Sequence, residues 1–164
     1  MKSGISNLNS NNTRRAVGAI VCMSDQIVLV HKVMSLDGSR GPKEIPGEWD
    51  FPKGGIRYED EVTALRREMR EEIGIENFDV SRRLEDFKFS FSEEAYKDLG
   101  YSHQVTSMFL VTLSADFSSL KPNCNEIDDI GLFSYEEAIN TLTHNTSKEY
   151  LRFIQNQLKE YVKC

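Results

Sequence analysis

The stretch from Trp49 to Ile75, WDFPKGGIRYEDEVTALRREMREEIGI, constrains this chain more than any other. Asp60 is placed as a helix N-cap and Gly74 as a stop, so the spacing predicts a helix between them. At about 100° per residue, Val62, Leu65, Met69 and Ile73 fall in one narrow stripe that faces a core. Glu61, Glu68, Glu71 and Glu72 cluster on an arc beside that stripe rather than opposite it. Each like-charge pair three or four residues apart costs roughly 0.2–0.5 kcal/mol. That cost is small, and Arg66, Arg67 and Arg70 are interleaved to offset it. The helix alone is therefore readable as a solvated, arginine-neutralised face.

The preceding loop changes the balance. Gly54 and Gly55 let backbone approach a ligand closely, and Lys53 is a point charge suited to phosphate. Clustered carboxylates are hard oxygen ligands of the kind Mg²⁺ or Mn²⁺ takes together with substrate phosphates. A bound cation removes the repulsion that makes the cluster odd.

The rest of the chain frames this segment as one domain, since 164 residues suffice for a sizeable core but not for two. Residues 1–13 are rich in Ser and Asn and read as a flexible tail, leaving 14–164 as the folded domain. AVGAIVCM (16–23) and QIVLVHK (26–32) read as a hairpin turning at Ser24-Asp25, followed by a long loop at 33–48 that is a candidate gate for the site. VSRRLEDFKFSF (80–91) and HQVTSMFLVTL (103–113) read as two longer strands joined by a polar loop, and IGLFS (130–134) as a short strand. SYEE (134–137) and TSKE (146–149) match a capping box, with Tyr150, Ile154, Leu158 and Tyr161 at helical spacing behind the second. Phe87, Phe89 and Phe91 alternate as a half-buried strand does and read as core rather than as a base-stacking platform. Gln104 opens a strand and reads as solvated, and His31, His103 and His144 read as isolated structural or surface residues.

With 20 basic against 26 acidic residues the formal charge is −6, so no general basic field is present to hold a long nucleic acid. Cys22, Cys124 and Cys164 are scattered without metal or disulfide spacing. The start lacks the apolar stretch of a signal peptide, and no run of about 18 apolar residues occurs. These features point to a cytoplasmic protein without a membrane partner, and they leave its oligomeric state open.

The quoted segment resembles the signature of the Nudix hydrolase family: Gly, any five, Glu, any seven, Arg-Glu-U-x-Glu-Glu-x-Gly-U, with U apolar. Arg67-Glu68-Met69-Arg70-Glu71-Glu72-Ile73-Gly74-Ile75 completes the second half, and Glu59 fills the first Glu position. Lys53 stands where the first Gly is expected, so the loop is one residue short between Gly55 and Glu59.

The resemblance implies an α/β fold, an α/β/α sandwich with a mixed β-sheet. It also implies hydrolysis, with Mg²⁺ or Mn²⁺, of a phosphoanhydride bond in a nucleotide. Carried over, Glu68, Glu71 and Glu72 hold the metal with a loop carbonyl near Lys53 or Gly54. Arg67 orients the carboxylates and Glu59 braces it. Lys53, Gly54, Gly55 and Arg57 meet the substrate's phosphates. A further acid is expected near a late strand, for which Glu126 is the candidate and Glu93 and Glu94 are weaker ones. Glu71 or Glu126 then takes the proton of the attacking water. The Trp-x-x-Pro-Lys-Gly-Gly loop is similar to versions in dinucleoside polyphosphate hydrolases and in RNA 5′-pyrophosphohydrolases, and Gln104, opening a strand that runs into Met108-Phe109-Leu110, faintly resembles a segment of the RNA enzymes. A nucleoside or dinucleoside polyphosphate is thus the expected substrate, and an RNA 5′ end the alternative. A binding module that does not cleave has no need of the three intact glutamates.

Overall fold

The computed structural model describes residues 12–35 and 41–162. Strands β1 (Thr13–Met23) and β2 (Gln26–Ser35) form the expected hairpin, with Met23 opposite Gln26 and Val21 opposite Val28. Ser24 and Asp25 take positive φ values of 50° and 63°, as a two-residue turn matching strand twist requires. Thr13, the last residue assigned to the tail, already belongs to β1, and residues 1–11 lie outside the described residues.

The run from Ala16 to Met23 is buried throughout because β1 is central. Along one edge it pairs in parallel with β7 (His103–Thr112), and along the other it is shared by β2 and the short β4 (Lys53–Gly55). Central parallel strands covered on both faces read as unbroken apolar runs, which is what AVGAIVCM is.

Past Val28, β2 leaves β1. It pairs instead with β3 (Lys43–Asp50) on one edge and lies along β8 (Ile127–Phe133) on the other. The chain leaving β3 enters the opening beside β1: the Ala19 N–H donates to the Pro52 carbonyl at 3.0 Å, and β4 pairs with Ala16–Gly18. The parting of two strands thus delivers Lys53, Gly54 and Gly55 to the middle of the sheet.

Three expectations are corrected. The stretch 33–48 is not one long loop, because Val33–Ser35 continues β2 and Lys43–Glu48 lies in β3, with Met34 opposite Glu44 and Ser35 opposite Lys43. β3 is an exposed edge strand carrying Pro46 and Gly47, which an edge tolerates, and so lacks an alternating pattern. The stretch 80–91 is two strands, β5 (Asp79–Arg83) and β6 (Phe87–Ser90), both antiparallel to β7. Between them Leu84 stays buried and donates its N–H to the Met108 carbonyl. TSKE does not cap: the helix behind it starts at Asn145 after His144, and the Ser147 hydroxyl turns inward to Asp50 Oδ1 at 3.1 Å.

Helix α1 (Glu61–Ile73) covers one face of the sheet through Ala64, Leu65, Met69 and Ile73 against Val17, Ala19, Val21 and Val28. On the opposite face Ile20, Leu29, Met108 and Leu110 meet α3 (Tyr135–Thr141), α4 (Asn145–Phe153) and α5 (Gln155–Leu158) through Ala138, Leu151 and Leu158. The result is the expected α/β/α sandwich on a mixed sheet. The connection from β6 to β7, expected as a polar loop, instead holds a further short helix, α2 (Glu93–Leu99), because Ser92 and Gly100 cap it at both ends. Among the described residues no helix is long and apolar enough to cross a membrane.

Candidate active site

Both ends of α1 are locally encoded. Asp60 Oδ1 accepts from the Thr63 N–H at 2.8 Å, and Gly74 takes the left-handed conformation at φ 73°. A Cβ at Gly74 would lie 2.4 Å from the Lys121 carbonyl. The helix is rolled further toward its acids than the apolar stripe alone implies. At about 100° per residue the stripe centres on Met69, whereas the buried set, which adds Ala64, Arg67, Glu68 and Glu72, centres between Glu68 and Glu72. Val62, at the rim of that arc and in the first turn, is left 44% exposed, contrary to its place in the stripe.

Glu68 and Glu72 are therefore buried against the loop. A Cβ at Gly54 would fall 2.1 Å from Glu68 Oε1, so this approach requires glycine. The Lys53 N–H donates to Glu72 Oε2 at 3.2 Å. Burial pushes the Glu72 carboxyl well above the usual carboxylate range, and the neighbouring charges of Glu68 and Glu126 push it further. Burial also raises Glu68, partly offset by Arg67. Glu71 is more open, and Glu126 Oε2 lies 3.7 Å from Lys32 Nζ.

Arg67 organises this wall. Its Nε donates to both carboxylate oxygens of Glu59 at 3.1 and 3.2 Å, Nη1 to Glu68 Oε1 at 2.6 Å, and Nη2 to the Gly55 carbonyl at 2.9 Å. Its side chain is only 10% exposed, so it does not belong to a solvated, arginine-neutralised face, and its Nη1 also lies 3.6 Å from Glu71 Oε2. The Glu59 hydrogen bond raises the guanidinium's affinity for its proton and in turn lowers the Glu59 carboxyl. The loop that is one residue short thus still brings Glu59 onto Arg67, with Ile56, Arg57 and Tyr58 spanning the gap. Ile56 is tied to the Arg15 carbonyl, and Tyr58 is fully exposed.

These groups border a cavity of about 970 Å³ lined by Lys53, Gly54, Gly55, Arg57, Glu68, Glu71, Glu72 and Glu126. Glu93 and Glu94 are not among its lining residues. Lys53 is not a loose cation: Nζ lies 2.6 Å from Asp50 Oδ2 and over the Phe87 and Phe89 rings at 5.1 and 5.4 Å.

The lining residues that the sequence reading did not place in the site include Arg14, Asp50, Gln104 and Ser147. Asp50 Oδ1 accepts from the Phe51 N–H and the Ser147 hydroxyl. Gln104, expected to be solvated, is 3% exposed; its Oε1 accepts from Arg14 Nη1 at 2.7 Å and its Nε2 donates to Thr106 Oγ1 at 3.0 Å. The signal was available, because Gln104 shares the period-two face of Thr106, Met108 and Leu110. Nor are the histidines isolated. His31 Nδ1 lies 2.6 Å from Asp128, His144 Nε2 lies 3.1 Å from Glu48 at the cavity, and His103 contacts the Ser102 hydroxyl.

Among the described residues no three carboxylate, His or Cys side chains already converge as a ready ligand set. The donor chemistry nevertheless fits a hard divalent cation. Glu68 and Glu72 are both buried, burial above all disfavours their ionisation, Glu68 adds to the cost at Glu72 while Glu71 and Glu126 add to it at Glu68, and a cation among these carboxylates would relieve it.

The profile of the family described as NUDIX domain matches residues 12–156. No match to a curated protein sequence is found. Among solved structures, a MutT protein from Methanosarcina mazei Go1 superposes with a TM-score of 0.69 at 17% identity, over 92% of this chain and 99% of that one. An Ap4A hydrolase from C. elegans gives a TM-score of 0.65 at 18% identity, over 90% and 99%. The NUDIX domain of NrtR from Shewanella oneidensis, complexed with ADP ribose, gives 0.66 at 12%, over 89% and 88%. The chain belongs to the NUDIX domain family and is a hydrolase of pyrophosphate bonds.

Proposed function

We propose that this protein is a divalent-metal-dependent hydrolase of a phosphoanhydride bond in a nucleoside or dinucleoside polyphosphate, working in the cytoplasm. The observation that carries the reading is the buried pair Glu68 and Glu72 at a cavity that also presents Lys53 and Arg57. Anionic ligand groups and phosphate-seeking cations in one cleft suit a polyphosphate bound through a cation. The ADP ribose held by the NrtR domain and the Ap4A hydrolase among similar structures support a nucleotide of this class.

Glu68, Glu71 and Glu72 would hold Mg²⁺ or Mn²⁺, whose chemistry there is polarisation of phosphoryl oxygens and a lowered pKa of bound water. Arg67 does not face the substrate in this scheme; it fixes Glu68 and is itself fixed by Glu59 and the Gly55 carbonyl. Arg57 and Lys53 neutralise phosphate charge, with Lys53 steered by Asp50. Glu71 or Glu126 takes a proton from the attacking water as its oxygen bonds to phosphorus and the anhydride oxygen departs with the leaving phosphate.

The test is a product-resolved screen of nucleoside triphosphates, dinucleoside polyphosphates, nucleotide sugars and triphosphorylated RNA. Activity on a small polyphosphate is expected, abolished by chelator and restored by Mg²⁺ or Mn²⁺. Full turnover in metal-free buffer would overturn the reading.

A further inference from the structure

One wall of the cavity has no counterpart in the chemistry of polyphosphate. Along β6 the rings of Phe87, Phe89 and Phe91 form a ladder with centroid spacings of 5.5 and 5.3 Å. Phe87 lies in the core, whereas Phe89 and Phe91 are half-buried and line the cavity. Helix α2 follows at once. It is capped by Ser92, whose Oγ accepts from the Ala95 N–H at 3.1 Å, and it ends at Gly100 with φ 81°. Its neck is closed by the Phe91 N–H donating to the Ser102 carbonyl at 2.8 Å.

This built helix buries no residue. Its apolar pair Ala95 and Leu99, one turn apart, borders the cavity together with Tyr101. A segment capped at both ends that contributes nothing to the core is consistent with a surface presented to a ligand. Gln104 supplies a directional polar group to the same cavity. Arg14 is a donor only, so it fixes the oxygen end of the amide, and Thr106 takes one Nε2 hydrogen, leaving the other for an acceptor.

We propose that Phe89, Phe91, Ala95, Leu99 and Tyr101, with the Gln104 amide, form the nucleobase site of this enzyme. Aromatic faces, an apolar helix side and one oriented amide are the chemistry that recognises a flat heteroaromatic ring through stacking and an edge hydrogen bond. A cavity of about 970 Å³ leaves room for a base beside the phosphates. The inference rests on the nucleotide polyphosphate reading above.

Two measurements separate the two. The first is calorimetric binding of AMP, GMP, CMP, UMP and inorganic pyrophosphate to wild type, Phe91→Ala, Leu99→Ala and Phe91→Trp, all in Mg²⁺. The second is turnover of the matching nucleoside triphosphate and of inorganic tripolyphosphate. At least one monophosphate is expected to bind wild type. Both alanine variants should weaken it about tenfold or more while pyrophosphate binding stays within about twofold, and Phe91→Trp should retain it. Because α2 buries no residue, truncating Leu99 leaves the core intact. The base site is overturned if no monophosphate binds wild type, if the alanine variants bind the monophosphate like wild type, or if they lose monophosphate and pyrophosphate equally. If the binding pattern holds but wild type cleaves no polyphosphate, the hydrolytic reading of substrate fails and the base site stands.

Discussion

Helices α1 and α2 carry the same local signals and end up with opposite roles. Each opens on an oxygen cap, Asp60 or Ser92, that accepts from the third residue on, and each closes on a left-handed glycine, Gly74 or Gly100. Yet α1 buries Arg67, Glu68 and Glu72 along with its apolar face, while α2 leaves even its apolar residues partly open. Caps decide where a helix forms; what it is pressed against decides which of its residues are out of place. In α1 the misplaced groups are charges in the interior, and in α2 they are apolar groups bordering water. Both anomalies border one cavity.

The contrast is broken most forcefully at Arg67. Removing one member of a buried charge network leaves the others uncompensated, at a cost of about 3–5 kcal/mol. Arg67→Met should lower stability in urea by that order, because Glu68 keeps its burial and loses its partner. A loss under about 1 kcal/mol would mean that the guanidinium is not the organiser of α1's inner face.

Glu72→Gln separates folding from function on the same face. The variant keeps shape and removes a buried charge whose ionisation burial already disfavours, so Tm should hold or rise. If Glu72 binds the cation, kcat should fall by roughly 10²–10³ or more, since one preorganised electrostatic contact is worth about that much in other enzymes. A folded variant with near-normal kcat places the metal elsewhere.

The caps sharpen the comparison more gently. Asp60→Ala should cost about 1 kcal/mol of global stability, because α1 unfolds only with the core. Ser92→Ala removes the same kind of bond, yet α2 buries nothing, so global stability should change by less than about 0.5 kcal/mol while amide exchange rises across residues 93–99. Equal global losses from both would show α2 to be part of the cooperative core.

The same two helices explain how far the sequence could be read. Asp60 and Gly74 at the ends of α1, the Ser24-Asp25 turn and the apolar run of β1 are local or periodic signals, and each gives its element; the equivalent signals at Ser92 and Gly100 do not stand out from the polar connection that holds α2. The carboxylate cluster is legible because side chains that share one side of a helix recur at three- and four-residue spacing. The period-two face of β7 makes the burial of Gln104 legible, but what joins Gln104 and Asp50 to the site is not, since one partner of each comes from far along the chain: Arg14 lies 90 residues from Gln104, and Ser147 lies 97 from Asp50. β3 reads as loop because an edge strand with Pro46 and Gly47 has little to alternate. Thr146 imitates a cap because Glu149 stands three residues on, but the helix already begins at Asn145, so Thr146 lies inside its first turn.

The smallest expected effect concerns chain length of the substrate, and α2 again supplies the argument. Its residues Glu93, Glu94 and Asp98 outnumber Lys97, and Glu93 already pairs with Lys97 at 3.7 Å. A phosphate chain leaving the cavity past this helix meets repulsion rather than the cationic track that carries single strands, and the whole chain stands at −6. Binding of RNA weakens with salt by a slope of about 0.7 per phosphate neutralised on a single strand, so a long footprint betrays itself in that slope. Extending a 5′-triphosphorylated substrate from one nucleotide to an oligomer should therefore change kcat/KM little, at two salt concentrations alike. A large preference for the oligomer that erodes steeply with salt would show a cationic path outside the cavity, and would move the assignment from small nucleotides to RNA 5′ ends.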